Sequence, residues 1–150
     1  MKNLVILGAG TAGTMMLNKL HKALDDKEWK ITIVDNEKDH YYQPGFLFIP
    51  FGEYTRKDVV KPKKQFFPDE HEMIESDIFK VLPEFNKVHL DNGIILDYDV
   101  LIIATGSRTA PEETEGLKDK LWYKDIFDFY TLEGSLTLAE KLKTWDGGKL

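Results

Sequence analysis

A glycine-rich turn between two apolar elements restricts the fold of this chain more than any other feature. The apolar run Leu4–Leu7 leads directly into GAGTAG at residues 8–13, and apolar side chains at helical spacing follow it. A second apolar, β-branched run, Ile31–Val34, ends at Asp35. Together these segments predict a strand, a crossover helix and a parallel strand within about 35 residues.

The turn has the pattern G-x-G-x-x-G, formed by Gly8, Gly10 and Gly13. The first glycine permits the tight turn, the second lets the backbone approach a pyrophosphate, and the third lets helix and strand pack closely. The helix start offers unpaired N–H groups to the phosphates. Asp35, at the end of the second strand, is placed to accept hydrogen bonds from a ribose diol and would repel a 2′-phosphate. The pattern predicts a dinucleotide with an unphosphorylated adenosine, and by itself leaves FAD and NAD open.

The middle of the chain predicts short elements. We expect a short helix over Arg56–Val60 and then an irregular excursion, because Pro62 and Pro68 limit any helix to short pieces. From Ile78 onward the alternation of apolar and polar residues predicts three short strands, with a hairpin turn at Asp91–Gly93.

Two further elements complete the predicted fold. The continuous apolar character of Val100–Gly106 predicts a fully buried strand. A helix is expected from near Thr131 to Gly147 and Gly148, with one apolar face formed by Leu132, Leu136, Ala139 and Leu142. The predicted fold is α/β and Rossmann-like, with a parallel sheet and a three-stranded antiparallel excursion.

Charge and composition argue against several functions. The formal net charge of −6 and the isoelectric point of about 5.2 argue against nucleic acid as a partner. The chain has no cysteine, which excludes disulfides, thiolate nucleophiles and cysteine-bearing metal sites within it. No apolar run approaches the roughly 20 residues of a membrane-spanning helix, so we expect a soluble, cytoplasmic chain. A basic run interrupted by Asp58 is interpreted as a solvated face: Arg56, Lys57, Lys61, Lys63 and Lys64.

The segment YDVLIIATGSRTAP, Tyr98–Pro111, resembles the second flavin-contact motif of flavoproteins with two dinucleotide-binding domains. Small residues at Ala104 and Gly106 let the backbone approach a cofactor at the carboxyl end of the sheet. The resemblance implies that the cofactor is FAD. It further implies that residues 1–110 form the N-terminal part of an FAD-binding domain, and that residues 111–150 lead to a second dinucleotide-binding domain. Because the chain stops where a next strand is due, we expect it to be truncated.

Within that superfamily the chain resembles sulfide:quinone oxidoreductases. The likeness is carried by NEKDHYYQPGFLFIPFG at residues 36–52 and by FYTLEGSLTLAEKL at residues 129–142, and it covers almost the whole chain. It implies a whole enzyme that oxidises sulfide through redox cysteines and non-covalent FAD and then reduces membrane quinone. Such an enzyme would be cytoplasmic or peripherally attached to a membrane, and the sequence leaves its self-association open.

The resemblance assigns roles to individual positions along the cofactor. The pyrophosphate would be held within residues 8–13, the adenosine by residues near Asp35, and the ribityl and flavin end by the residues that follow. The implied FAD contacts are Gly8, Gly10, Thr11, Ala12, Gly13, Asp35, Asn36, Gln43, Pro44, Ile78, Ala104, Thr105, Gly106 and Arg108.

The chain also departs from the family. The redox cysteine pair is absent, so we expect it beyond residue 150, and the 150 residues alone are expected to be inactive. Tyr130 stands where many members have a cysteine, and no cysteine is present in Tyr41–Pro44 to tether a flavin. Two other hypotheses remain open: a type II NADH:quinone dehydrogenase, which needs no cysteine, and a nucleotide-binding module without catalysis.

The aromatic stretch from His40 to Gly52 raises a separate question. Phe46–Phe51 would either pack in a core or line a wall for an apolar ligand, and core packing is the favoured interpretation. His40 is interpreted as a hydrogen-bonding surface residue in preference to an acid or base. The acidic segment Asp69–Glu72 is interpreted as solvated surface and not as a metal site.

Overall fold

The structure is a computed structural model, and it describes residues 1–148 of the chain. These residues group into two compact units. The first contains Met1–His40 and Pro62–Gly106, and the second contains Tyr41–Lys61 and the chain from Ser107 onward. The expected division at residue 110 into an FAD-binding domain and a connector stays a prediction.

Residues 1–148 contain three α-helices and nine strands, numbered in chain order. They are β1 (Lys2–Leu7), α1 (Thr11–Ala23), β2 (Trp29–Asp35), β3 (Asp39–Tyr41), α2 (Arg56–Val59), β4 (Val60–Pro62), β5 (Met73–Glu75), β6 (Ile78–Leu82), β7 (Lys87–Leu90), β8 (Ile95–Asp97), β9 (Val100–Ile103) and α3 (Leu132–Lys143). Short 3₁₀ helices occur at Gln43–Phe48, Lys63–Phe66, Pro83–Phe85 and Pro111–Glu113.

The first unit is organised around a four-stranded sheet in the order β5-β2-β1-β9. All three pairings are parallel, so the carboxyl ends of the strands lie along one edge. Successive side chains of β1 point to opposite faces of the sheet. Leu4 and Ile6 pack in the cluster that contains Leu17 of α1, whereas Val5 and Leu7 pack in the cluster that contains Val88 of β7. The core of this unit therefore lies on both faces of β1.

The antiparallel excursion also forms as predicted. Strands β6, β7 and β8 make a three-stranded sheet with antiparallel pairings. The turn between β6 and β7 is made by Asn86, which has a left-handed conformation with φ 52°. Gly93 in the predicted hairpin has φ 86°, a region that favours glycine. The predicted Rossmann-like α/β fold with this excursion is confirmed.

Two strands differ from their prediction. Residues 73–75 were expected to be irregular, yet they form β5 and extend the parallel sheet beside β2. The strand β9 was expected to be fully buried, but Ile103 is 65% exposed and Val100 is 40% exposed. The reason is topological, since β9 is an edge strand that pairs with β1 on one side only among the described residues.

The second unit has a small core of its own. Phe46, Ile49 and Val59 are buried there, and the predicted apolar face of α3 packs against them through Leu132, Leu136 and Ala139. The helix begins as expected, because the Thr131 hydroxyl accepts a hydrogen bond from the Gly134 N–H at 2.9 Å. It ends at Lys143, earlier than the predicted stop at Gly147 and Gly148.

The aromatic stretch divides between core and surface. Phe46 and Ile49 are 4% and 3% exposed, whereas Leu47, Phe48 and Phe51 are 49%, 40% and 69% exposed. In a 3₁₀ helix, residues three apart share a face, and that spacing places Phe46 and Ile49 together in the core. Core packing is thus confirmed for Phe46, Ile49 and Pro50, which are buried, and is wrong for the three exposed residues. Within residues 1–148, no helix has the length and apolar character needed to cross a bilayer.

Candidate functional site

The glycine turn lies at the carboxyl edge of the parallel sheet and is sterically closed at two of its three glycines. Gly8 has φ 94°, and a Cβ added to it would collide with the backbone of Ala104. A Cβ added to Gly13 would lie 2.9 Å from the carbonyl carbon of Gly8 and closer still to its oxygen. Gly10 differs, because no atom lies within 4 Å of its added Cβ. Two glycines are therefore required by the fold, and the third faces open space.

The start of α1 is arranged to receive an anion. Gly10 is its N-cap, no side chain caps the helix, and the first turn carries no acidic residue. The N–H groups of a first turn have no acceptor within the helix, and together with the helix dipole they favour a negative group. Thr11 and Ala12 are exposed in this turn, and Gly13 is buried behind them.

Asp35, at the end of β2, is the centre of a buried polar cluster. Its Oδ2 accepts a hydrogen bond from the Ala9 N–H at 2.5 Å, and its Oδ1 accepts one from the Glu37 N–H at 2.9 Å. The ammonium of Lys63 lies 2.8 Å from Oδ1, in an ion pair whose side chains are 6% (Lys63) and 13% (Asp35) exposed. The carboxylate thus links the glycine turn to the segment that follows β2.

The protonation state of Asp35 follows from these contacts. Burial raises the pKa of the carboxyl, but the hydrogen bonds from Lys63, Ala9 and Glu37, together with the charge of Lys63, outweigh burial and hold the pKa below its ordinary value. Asp35 is therefore ionised at neutral pH and acts only as an acceptor.

The burial of Lys63 corrects the interpretation of the basic run. Arg56, Lys57, Lys61 and Lys64 are exposed, as expected of a solvated face, but Lys63 is only 5% exposed. Its residue type and spacing do not distinguish it from its neighbours. The 3₁₀ helix that begins at Lys63 turns this side chain inward toward Asp35, which the sequence pattern does not indicate.

A pocket of about 440 Å³ opens beside this cluster, at the carboxyl ends of β1, β2 and β9. In open α/β sheets ligands bind at this edge. The pocket brings together five of the predicted contacts, namely Gly8, Asp35, Asn36, Ile78 and Thr105, and it adds Leu7, Ser76, Asp77, Val81 and Ile103. The Asn36 amide donates a hydrogen bond to Oδ1 of Asp77 at 2.6 Å. Ser76 and Asp77 follow β5, so they were missed with that strand.

The predicted contact residues at the end of β9 lie beside the glycine turn. The Ala104 N–H donates to the Leu7 carbonyl at 2.7 Å, which aligns β9 with β1 up to the point where the chain leaves the sheet. Gly106 has φ 70° and makes the turn that follows. The Ala104 backbone packs so closely on Gly8 that no side chain fits between them.

The remaining predicted contacts lie in the second unit. Gln43 begins a 3₁₀ helix with Pro44 in its first turn, and the Gln43 amide donates to the Tyr130 carbonyl at 3.2 Å. The Tyr130 hydroxyl and the Ser107 hydroxyl share a hydrogen bond of 2.9 Å. The hydrogen bond with Ser107 lowers the pKa of the Tyr130 phenol. Arg108 is exposed and pairs with Glu112 at 2.9 Å.

His40 lies beside Lys63 in the first unit. Its ring is 4.9 Å from that of Phe66, and its Nδ1 is buried without a hydrogen-bond partner in the described part of the chain. Burial, and then the charge of Lys63, lower the pKa of His40. The imidazole is therefore neutral at pH 7. His40 was predicted to be a hydrogen-bonding surface residue, but its Nδ1 is buried and makes no hydrogen bond in the described residues.

Comparison with known proteins identifies the family. Residues 2–139 match the pyridine nucleotide-disulphide oxidoreductase family. The chain belongs to this family. Among curated proteins it is similar to a mitochondrial sulfide:quinone oxidoreductase of Dictyostelium discoideum, with 29% identity over 98% of this chain and 32% of that protein. It is also 29% identical to a type II NADH:quinone oxidoreductase of Staphylococcus aureus, over 79% of this chain and 29% of that protein.

Solved structures support the same fold. The sulfide:quinone oxidoreductase from Aquifex aeolicus superposes with a TM-score of 0.76 at 23% identity, covering 95% of this chain and 32% of that one. NDH2 from Plasmodium falciparum in complex with NADH gives a TM-score of 0.67 at 21% identity, covering 93% of this chain and 28% of that one. The chain thus spans about a third of the length of the relatives that it matches.

Proposed function

We propose that this chain binds FAD non-covalently and supplies the flavin-binding part of an oxidoreductase that takes electrons from sulfide and delivers them to quinone. The observation that carries the proposal is the pocket that Gly8, the ionised Asp35 and Asn36 line at the carboxyl edge of the parallel sheet. The sulfide and quinone assignment draws on the names of the relatives in Dictyostelium discoideum and Aquifex aeolicus.

The residues fit a dinucleotide. The pocket lies within the size range of small-molecule sites and has room for the adenosine half. In the proposal the start of α1, with Gly10, Thr11 and Ala12, receives the pyrophosphate, and Asp35 receives the ribose. Asn36 and Ile78 lie toward the adenine. In the first unit, Ala104, Thr105 and Gly106 would contact the flavin end. The assignments of Gln43, Pro44 and Arg108, which lie in the second unit, stay predictions.

Bound FAD would supply the reversible redox chemistry that no side chain of this chain provides. The residues themselves bind, orient and exclude water. Because Asp35 is ionised and already oriented by three donors, it accepts from the ribose without reorganising. Because Gly8 and Ala104 are in backbone contact, the turn that presents the phosphate site is held rigid.

FAD titration of the purified chain tests this proposal. We expect quenching of flavin fluorescence to saturate, and Asp35→Ala to weaken binding while Asp26→Ala, an exposed carboxylate on the loop after α1, leaves it unchanged. An unchanged affinity in Asp35→Ala would contradict the assignment of the ribose site. Retention of flavin after denaturation and filtration would contradict non-covalent binding.

The electron donor requires a separate test. The Staphylococcus aureus relatives favour a second candidate, a type II NADH:quinone oxidoreductase. In the proposal the working protein also contains redox cysteines outside these 150 residues, associates peripherally with a membrane where quinone resides, and binds no nucleic acid. Sulfide and NADH are added separately, without oxygen, to the flavin-loaded whole protein. We expect sulfide to bleach the flavin absorbance band. Bleaching by NADH alone would replace the first proposal with the second.

A further inference from the structure

We infer that Lys63 is a positioning residue of the dinucleotide site, which holds the Asp35 carboxylate in place as the acceptor for the adenosine ribose. The inference rests on the proposed function. It adds a residue that lies outside the glycine turn and outside every contact predicted from the sequence.

Lys63 is attached at both its ends to the chain that follows β2. Its ammonium donates to the Glu37 carbonyl at 2.8 Å as well as contacting Oδ1 of Asp35. Its backbone N–H donates to the Lys38 carbonyl at 2.8 Å. An exposed ion pair of long side chains has many geometries, but this one is buried and has two further hydrogen bonds, so the ammonium stays in one place.

The contacts leave Asp35 with one acceptor position for a ligand. An ionised carboxylate has about four lone-pair sites. On Oδ1 the two are used by Lys63 and by the Glu37 N–H, and on Oδ2 one is used by the Ala9 N–H. One position on Oδ2 remains for a ligand in the pocket that Asp35 lines. Lys63 therefore decides which carboxylate oxygen the ribose meets.

Lys63 is the cation that contacts Asp35. Glu75 of β5 is in register with Asp35 but pairs with Lys38 at 3.2 Å, and Asp77 lines the same pocket. His40 is neutral at pH 7. Without Lys63, Asp35 would lose a hydrogen bond and an opposite charge that lower its pKa, while burial would still raise it, so the pKa of Asp35 would be higher than in the parent.

Lys63→Met removes the ammonium and keeps the length of the side chain, and Lys64→Met is its exposed control. FAD affinity is measured by fluorescence quenching at about pH 8 and about pH 5.5. We expect Lys64→Met to match the parent at both values. In Lys63→Met we expect a larger loss of FAD affinity at the lower pH than at pH 8, because loss of the ammonium raises the pKa of the Asp35 carboxyl.

A second variant guards against loss of folding. Asp35→Asn with Lys63→Met buries no charge, and the additional loss of FAD affinity at about pH 5.5 should be absent from it, because that loss arises from protonation of Asp35. ¹³C NMR of the Asp35 carboxyl without ligand should give a titration midpoint below the ordinary value in the parent and a higher midpoint in Lys63→Met.

The outcomes separate the two proposals. A parent chain that binds no FAD overturns the proposed function and removes the ligand for which Lys63 would position Asp35. A parent that binds FAD, with Lys63→Met equal to Lys64→Met or weakened equally at both pH values, overturns the positioning role alone. If the titration midpoint of the Asp35 carboxyl is the same in Lys63→Met as in the parent, the positioning role is also overturned.

Discussion

Alanine substitutions at Gly10 and Gly13 should separate binding from folding within one turn. At Gly13 the new Cβ would overlap the Gly8 carbonyl, which is backbone and has no rotamer to move away. Overpacking lowers the free energy of unfolding by about 1–3 kcal/mol, and because the neighbour is rigid we expect Gly13→Ala to lose about 3 kcal/mol. For a chain of this size that loss lowers the Tm by about 6–12 °C.

Gly10→Ala should fold like the parent. Its φ of −68° suits alanine, and no atom lies within 4 Å of the new Cβ. Alanine lowers the backbone entropy of the unfolded chain, which stabilises the fold slightly, but it is a poorer N-cap residue than glycine. The free energy of unfolding should therefore stay within about 1 kcal/mol of the parent. The methyl group would however occupy the space through which a phosphate approaches the helix start.

The two effects have separate assays. Loss of one hydrogen bond to a charged group is worth about 1.5–3 kcal/mol, so FAD affinity in Gly10→Ala should fall about 10- to 100-fold. Thermal unfolding measures the loss of stability in Gly13→Ala, and fluorescence quenching measures the loss of FAD affinity in Gly10→Ala. Parent-like FAD affinity in Gly10→Ala, or a parent-like Tm in Gly13→Ala, would refute the reasoning from the open and closed glycines.

Three further predictions follow from other parts of the molecule. The folded pKa of Asp35 lies below its unfolded value, so its contribution to stability is present above about pH 4 and is lost as the pH falls through the folded value; urea unfolding should show a shallower acid loss in Asp35→Asn than in the parent. Ser107→Ala should raise the pKa of the Tyr130 phenol in a spectroscopic titration, and an unchanged midpoint would contradict the hydrogen bond. Phe46→Ala should cost about 3–5 kcal/mol of unfolding free energy, whereas Phe51→Ala, at 69% exposure, should stay within about 0.5 kcal/mol; equal losses would refute the division of the aromatic stretch.

Elements with local causes could be predicted from the sequence. Gly13 is required by the Gly8 carbonyl five residues before it, and α3 follows from apolar spacing and from its Thr131 cap. Asp35 was placed correctly at the end of β2, because a strand ends where its apolar run ends. Five predicted contacts then meet in one pocket, since parallel strands bring their carboxyl ends to one edge.

Tertiary structure alone decided the features that depend on distant partners. The sequence pattern predicts that Lys63 is a surface residue like Lys61 and Lys64, but it is buried because it pairs with a carboxylate at the end of the distant strand β2. The strand β9 is apolar throughout and still exposes Ile103, because exposure depends on whether a further strand lies beside it. Period and propensity describe a residue's own neighbourhood, whereas the energy of a buried charge depends on which opposite charge the fold brings within 2.8 Å.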